Sequence, residues 1–107
     1  MRQEFKRIKK LGKEIVGKKH YKKIRKLKNY EDKTESLKYL ASSKLHNALA
    51  DLEMKIDKLE HEKKRLIELK LKILPAKIKI FKSTFNPRDY EVIKRMIKEI
   101  KGGLENA

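Results

Sequence analysis

Apolar side chains recur every three or four residues over 2–16 and again over 18–30, which is the spacing of one face of an α-helix. We expect Gly17 to end the first helix, because glycine tolerates the left-handed conformation of a helix cap. Gly12 interrupts the first pattern at a cost of roughly 1 kcal/mol in helix propensity. The predicted apolar faces consist of Phe5, Ile8, Leu11, Ile15 and Val16 in the first helix and of Tyr21, Ile24 and Leu27 in the second.

Residues 33–74 form the longest predicted helix, which would span about 63 Å if it were unbroken. Asp32, with Glu35 three positions later, has the spacing of an N-terminal capping box. Pro75 is expected to end the helix, because the residue before a proline is disfavoured in the helical region. A break at 42–47 stays open, since serine and asparagine lower the helix propensity of that stretch.

A heptad repeat runs through the second half of this helix. Its members are Leu45, Leu52, Leu59, Leu66 and Ile73, with Leu49 and Ile56 at the alternate core position. This is the 3.5-residue period of a coiled-coil seam, so we expect these seven residues to form the interface of a homodimer. The alternative is an intramolecular bundle, because Lys63 and Lys70 take the alternate core position near the end of the seam.

Residues 76–82 alternate apolar side chains with lysine, which is the period of a β-strand. An extended linker is favoured over a short strand, because a single strand needs a partner. Asn86, Pro87 and Asp89 then supply the cap, the preset first residue and the first-turn acid of a helix start. The glycine pair at 102–103 is expected to end that helix.

The pattern as a whole predicts an all-α protein, in which a long central coiled-coil-like helix is flanked by shorter amphipathic helices. One short strand at 76–82 is the alternative to the linker. We expect one structural domain with three segments. These are a basic helical segment (1–30), the long heptad-bearing helix (31–74), and a linker with a C-terminal amphipathic helix (75–107).

Positive charge is concentrated at the start of the chain. The 107 residues include 31 Lys and Arg against 15 Asp and Glu, for a net charge of +16. Residues 1–30 carry 13 basic and 2 acidic side chains, residues 31–74 carry 10 and 9, and residues 75–107 carry 8 and 4. A uniformly lysine-rich composition would not produce this contrast, which indicates a separate role for the first segment.

The basic side chains of this segment lie opposite the apolar faces of its two predicted helices. Fixed cations in such an arrangement gain free energy by releasing counterions from a nucleic-acid backbone. Lysine outnumbers arginine ten to three in residues 1–30, and lysine is a point charge whereas arginine pairs with guanine edges. We therefore predict contacts to the backbone of DNA or RNA that are largely independent of sequence. The predicted contact residues are Arg2, Lys6, Lys9, Lys10, Lys13, Lys18, Lys19, Lys22, Lys23, Arg25 and Lys26.

Other interpretations of the basic segment stay open. The simplest is a solvated helical face that is merely rich in lysine, and another is a surface for an acidic protein partner. An anionic membrane surface is less favoured, since the apolar arcs contain no Trp and one Phe. Tyr30 is a candidate for stacking on a base or sugar, whereas we expect Tyr21 to pack inside.

The chain lacks the residues of most enzyme sites. It has no cysteine, which excludes disulfides, thiolate catalysis and cysteine-bound zinc. It also has no glycine-rich phosphate loop and no nucleophile elbow. The histidines at 20, 46 and 61 are too dispersed to indicate a metal site. We therefore expect no enzymatic activity, no cofactor and no metal.

No apolar run approaches the ~18 residues of a membrane span, and no early apolar stretch of the secretory type is present. We expect an intracellular protein, in the cytoplasm or the nucleoid. The predicted function is that of a small non-enzymatic nucleic-acid-binding protein, dimerised or organised by the heptad helix. The alternative is a coiled-coil adaptor or scaffold that binds other proteins in a larger assembly.

A basic segment followed by leucines at every seventh position, over residues 18–73, resembles the layout of basic-zipper transcription factors. That family has one uninterrupted helix and an Asn-x-x-Ala-Ala motif, whereas here Gly17 and the 29–32 stretch interrupt the helix and the motif is absent. A long helix, a strand-like link and another helix are also similar to prefoldin-type chaperones, but the two helices here are very unequal. We assign the chain to neither family.

Overall fold

The structure, a computed structural model, describes residues 2–105, and within this range it contains five helices and no strand. The helices are α1 (Arg2–Val16), α2 (Lys18–Arg25), α3 (Tyr30–Ile56), α4 (His61–Thr84) and α5 (Pro87–Glu105). The prediction of an all-α protein is confirmed. The chain forms two compact units, Met1–Lys44 (unit 1) and Leu45–Ala107 (unit 2).

Helix α1 has the bounds that the sequence predicts. Gly17 ends it with a φ of 87°, and its N–H donates to the carbonyl of Lys13 at 2.9 Å. Gly12 is buried because α3 lies against it: a Cβ at this position would lie 2.5 Å from a side-chain carbon of Leu37. The glycine that weakens the helix pattern in the sequence therefore permits the close approach of α1 and α3.

Helix α2 ends at Arg25, although the sequence predicts a helix that continues to residue 30. The chain turns over 26–29 before α3 begins. Asn29, and not Asp32, is the cap of α3, since the N–H of Asp32 donates to Asn29 Oδ1 at 2.8 Å. A cap residue has non-helical backbone, so Asn29 cannot also continue α2.

The single helix predicted over 33–74 is wrong. Helix α3 is continuous through 42–47 but ends at Ile56, and residues 57–60 separate it from α4. Glu60 has extended backbone, and Lys64 Nζ lies 3.2 Å from Asp57 Oδ1 across the turn. A straight helix cannot bury a face against itself, whereas the break lets apolar side chains on either side of it share one core. Ile56 and Leu71, one from each side, line the same hollow.

Pro75 does not end α4, and residues 76–82 are neither a strand nor a linker. The helix runs through Pro75 to Thr84. Leu74, Ile78 and Phe81 are fully buried at helical spacing. A proline inside a helix costs about 3 kcal/mol, but burying each of these side chains contributes about 1.5–3 kcal/mol. Packing of this face therefore outweighs the local preference of the proline.

Helix α5 begins where the sequence predicts. Asn86 is its cap, because the N–H of Arg88 donates to Asn86 Oδ1 at 2.9 Å. The hydroxyl of Thr84 donates to Asp89 Oδ2 at 2.9 Å, which ties the end of α4 to the first turn of α5. The predicted end at glycines 102–103 is wrong, since the helix continues to Glu105. Neither glycine has the positive φ of a glycine cap.

The seven heptad residues do not share one environment. The seam that they would form is interrupted at 57–60. Leu45, Leu49, Leu52 and Ile56 are buried, Leu59 is half-buried, and Leu66 and Ile73 are 70% and 50% exposed. The residues before the break thus pack inside the protein, as the intramolecular alternative expects. Dimerisation through these residues stays a prediction.

Replacing Gly12 tests the close packing of α1 on α3. Gly12→Ala forces a methyl group against Leu37, and overpacking of this kind costs about 1–3 kcal/mol. The higher helix propensity of alanine offsets about 1 kcal/mol of this cost, so we expect the free energy of unfolding to fall by up to about 2 kcal/mol. Gly102→Ala is the control, since nothing lies within 4 Å of its Cβ position. It should be neutral or stabilising by up to about 1 kcal/mol in urea unfolding; equal effects of the two changes would contradict the packing.

Candidate nucleic-acid interface

The cations of α1 and α2 are held in place by the buried residues on the opposite sides of these helices. In α1, Phe5, Ile8 and Val16 are buried, and in α2, Tyr21 and Ile24 are buried. At 100° per residue, the five predicted contact residues of α1 fall on an arc of about 100° and those of α2 on an arc of about 160°. Each helix therefore presents its cations on one side and its apolar residues on the other.

All eleven predicted contact residues are exposed. Ten lie on α1 or α2, and Lys26 lies in the turn that follows α2. Within residues 2–105, none of the eleven forms an ion pair with a carboxylate. Their charges are therefore available to a ligand instead of being neutralised by the acids of this part of the chain.

One arginine of the basic segment, Arg7, forms an ion pair within the protein. Arg7 Nη2 lies 2.7 Å from Glu4 Oε1, and Lys38 Nζ of α3 lies 3.2 Å from the same oxygen. Hydrogen bonds from Arg7, and then from Lys38, lower the pKa of Glu4 to about 2. Glu4 thus ties α1 to α3. It also pairs with Arg7, which is exposed but which the sequence prediction omits from the contact residues.

An exposed aromatic ring lies among cations where α3 begins. Tyr30 is 38% exposed, and its ring centroid lies 6.0 Å from Arg2 Cζ and 4.6 Å from Lys33 Nζ. The buried ring of Phe5 packs beside it, tilted by 52° at a centroid distance of 5.9 Å. A ring with cations beside it offers stacking together with charge. The sequence prediction includes Tyr30 but misses Lys33, because that lysine belongs to a segment of balanced charge; its i+3 spacing from Tyr30 on one helix was the available signal.

Tyr21 packs inside, as the sequence predicts, and is only 4% exposed. Lys13 Nζ lies 5.4 Å from its ring centroid, which links the cationic side of α1 to α2. The hydroxyl of Tyr21 is buried and finds no hydrogen-bond partner among the described residues. Tyr21 therefore cannot stack on a base, and its role is structural.

Other kinds of site find little support in the described range. Within residues 2–105, no three His, Asp or Glu side chains come together as a metal ion would require. The same range contains no helix with the length and apolar character needed to cross a membrane.

The ion pairs of Glu4 predict a dependence of stability on pH. The pKa of Glu4 is about 2 in the folded protein against 4.5 as its ordinary value, so its stabilising effect is complete above pH 4.5 and is lost as the pH falls toward 2. In urea unfolding, Glu4→Gln should therefore be less stable than wild type at pH 7, and the difference should shrink by pH 3. The control is Glu35→Gln, an exposed acid of unit 1 without an ion pair in the described structure. A difference for Glu4→Gln that does not change with pH would contradict the pairing.

The unpartnered hydroxyl of Tyr21 predicts a stabilising substitution. A buried polar group without a partner costs about 1–3 kcal/mol, so Tyr21→Phe should raise the free energy of unfolding by about 1 kcal/mol. Tyr30→Phe removes a hydroxyl from a more exposed ring and should change it by less than about 0.5 kcal/mol. A destabilised Tyr21→Phe variant in thermal unfolding would show that the hydroxyl does have a partner.

No model of a known protein family, no curated protein and no solved structure matches this chain. Its function is therefore inferred from its own charges, burial and contacts.

Proposed function

We propose that this protein is a small non-enzymatic nucleic-acid-binding protein, and that the exposed cations of α1 and α2 bind the phosphate backbone. The observation that carries the proposal is the separation of charge and apolar residues on these helices. Eleven cations are exposed without an ion pair in the described structure, while the apolar sides of the same helices are buried. A duplex carries one phosphate charge per ~1.7 Å of its axis, so such a surface gains free energy by releasing counterions.

The distribution of charge between the two units supports the same proposal. Residues 1–44 carry 16 basic and 5 acidic side chains, and residues 45–107 carry 15 and 10. Of the five acids in the first range, Glu4 is already paired with Arg7 and Lys38. Unit 1 therefore has a net charge of +11 that is concentrated in 44 residues. Charge that served only to keep the protein in solution would have no reason to collect in one unit.

The residue types favour a ligand recognised by its backbone. Nine of the eleven cations are lysine, which binds phosphate as a point charge, whereas arginine is the residue that reads guanine edges. The exposed ring of Tyr30 beside Arg2 and Lys33 adds a stacking position that any base fits. We therefore expect little sequence preference, and we expect single strands to engage Tyr30 in addition to the cations.

Salt dependence distinguishes this function from a lysine-rich face that binds nothing. With about six phosphate contacts, affinity for a duplex should fall on the order of 10³-fold between 50 and 200 mM salt. The measurement is fluorescence anisotropy with labelled duplex DNA, duplex RNA and a single strand of each, at several salt concentrations. Tight binding whose affinity does not depend on salt would contradict the proposed mechanism, as would the absence of binding at 50 mM salt.

Charge reversal tests which cations are used. Changing Lys18, Lys22 and Arg25 together to Glu should reduce the slope of log affinity against log salt by about 3. Binding at 200 mM salt should be lost.

The matched control is the change of Arg95, Lys98 and Lys101 on α5 to Glu. These residues are also exposed, and the substitution removes the same charge from the same residue types. It should leave most of the affinity and the slope in place. Equal losses in the two variants would show that binding depends on total charge and not on the surface of unit 1.

A further inference from the structure

Helix α4 is apolar on two sides, and one of them is uncovered. Leu71, Leu74, Ile78 and Phe81 form its buried face. On the opposite side lie five exposed residues, which we call the α4 stripe: Leu66, Leu69, Ile73, Ala76 and Ile80. Its four large members are 50–70% exposed. An exposed row of this kind marks a site for a partner more often than a scattered surface leucine does.

The α4 stripe has the geometry of a helix-packing seam. Leu66, Ile73 and Ile80 recur every seven residues, and Leu69 and Ala76 take the alternate core position. The five fall on an arc of about 80° at 100° per residue, which is the narrow a/d seam of a coiled coil. Ala76, in the middle of the second heptad, lets a partner helix approach closely. The occupant that fits this row is therefore a second helix.

The stripe continues onto α5 at its C-terminal end. Ile80 lines a small hollow of about 70 Å³ together with Lys77, Asp89 and Val92. Val92 is also exposed, so the exposed apolar surface extends from the stripe to α5. The turn that holds α5 here is the one fixed by Thr84 and Asp89.

The flanks of the α4 stripe carry one sign of charge. The positions that border an a/d seam, from 65 to 79, are Arg65, Lys70, Lys72, Lys77 and Lys79. Only Lys70 among them has an ion pair within residues 2–105, to Glu99 at 3.8 Å, and both partners are about half exposed. An exposed pair of this length contributes little, so the flanks stay strongly positive.

The positive charge of these flanks indicates which kind of partner fits the α4 stripe. A second copy of the chain would place these cations against each other in both the parallel and the antiparallel arrangement, and like charges at such positions oppose pairing. An anionic membrane surface fits less well, because the stripe is narrow and contains no aromatic residue. A helix with an apolar seam and acidic flanks complements both features.

We propose that the α4 stripe is a docking surface for an amphipathic helix of another protein, whose apolar seam packs on Leu66, Ile73 and Ile80. Acidic side chains of the partner pair with the basic flanks of α4. The proposal concerns unit 2 alone and does not depend on nucleic-acid binding by unit 1.

A designed peptide tests the proposal with the full-length protein. The probe is a labelled peptide of three heptads with Leu at both core positions and Glu at both flanking positions. The control peptide keeps every Glu and replaces each core Leu with Ser. We expect the Leu peptide to bind at least about tenfold more tightly in fluorescence anisotropy. Equal affinities would show attraction by charge alone and would overturn the proposal.

Protein variants locate the binding. Ile73→Glu should weaken binding of the Leu peptide at least about tenfold, whereas Met54→Glu, at an exposed apolar residue of α3, should not.

A second set of variants tests the flanking charge. Lys72→Glu with Lys79→Glu leaves the stripe intact and should shift the binding preference toward a peptide with Lys at its flanking positions. The Glu triple variant at 18, 22 and 25 should bind as wild type does, which separates this site from unit 1. Circular dichroism checks that each variant stays helical.

Two other results would assign the stripe to a different occupant and overturn the proposal. One is self-association of the wild-type protein, by light scattering, that Ile73→Glu abolishes and Met54→Glu does not. The other is binding to vesicles of phosphatidylserine and phosphatidylcholine that is lost in Ile73→Glu while neither peptide binds.

Discussion

The candidate interface depends on the burial of one narrow apolar side of α1 and of α2. Eleven like charges on two short helices and the turn after them repel one another, and within the described chain no acid pairs with them. What holds them together is the packing of residues such as Phe5, Ile8 and Ile24, each of which contributes about 1.5–3 kcal/mol on burial. The close approach of α3 at Gly12 and the ion pairs of Glu4 with Arg7 and Lys38 add to it. The packing of these helices offsets the repulsion among the cations, and a negatively charged ligand would reduce that repulsion.

Unit 2 uses the same division of a helix into sides for a different purpose. One side of α4, which includes Leu74, Ile78 and Phe81, is buried in the core. The α4 stripe on the other side is exposed between basic flanks. On α1 and α2, unit 1 thus presents cations opposite buried apolar residues, whereas unit 2 presents an exposed apolar row bordered by cations. The first arrangement suits phosphate groups, and the second suits an acidic amphipathic helix.

The sequence predicts the parts of this protein in which local signals agree with packing. The bounds of α1, the cap at Gly17, the start of α5 at Asn86 and the buried position of Tyr21 all follow from residue spacing. Prediction from the sequence fails where tertiary contacts outweigh the local preference of a residue. Pro75 lies inside α4 because Leu74 before it and Ile78 after it belong to one buried face, and the regular heptads give no sign of the turn at 57–60. A period of seven identifies a face that packs on a helix, but it does not tell whether that helix belongs to the same chain. The sequence alone therefore does not show that Leu66 and Ile73 belong to an exposed row while the heptad residues from Leu45 to Ile56 lie in the core.

Lysine acetylation footprinting with and without duplex DNA, read by mass spectrometry, tests the central claim most directly, since nine of the eleven predicted contacts are lysines. The account predicts that DNA protects the lysines between residues 6 and 26 and leaves Lys98 and Lys101 of α5 reactive. Protection spread evenly over both units, or confined to unit 2, would contradict it.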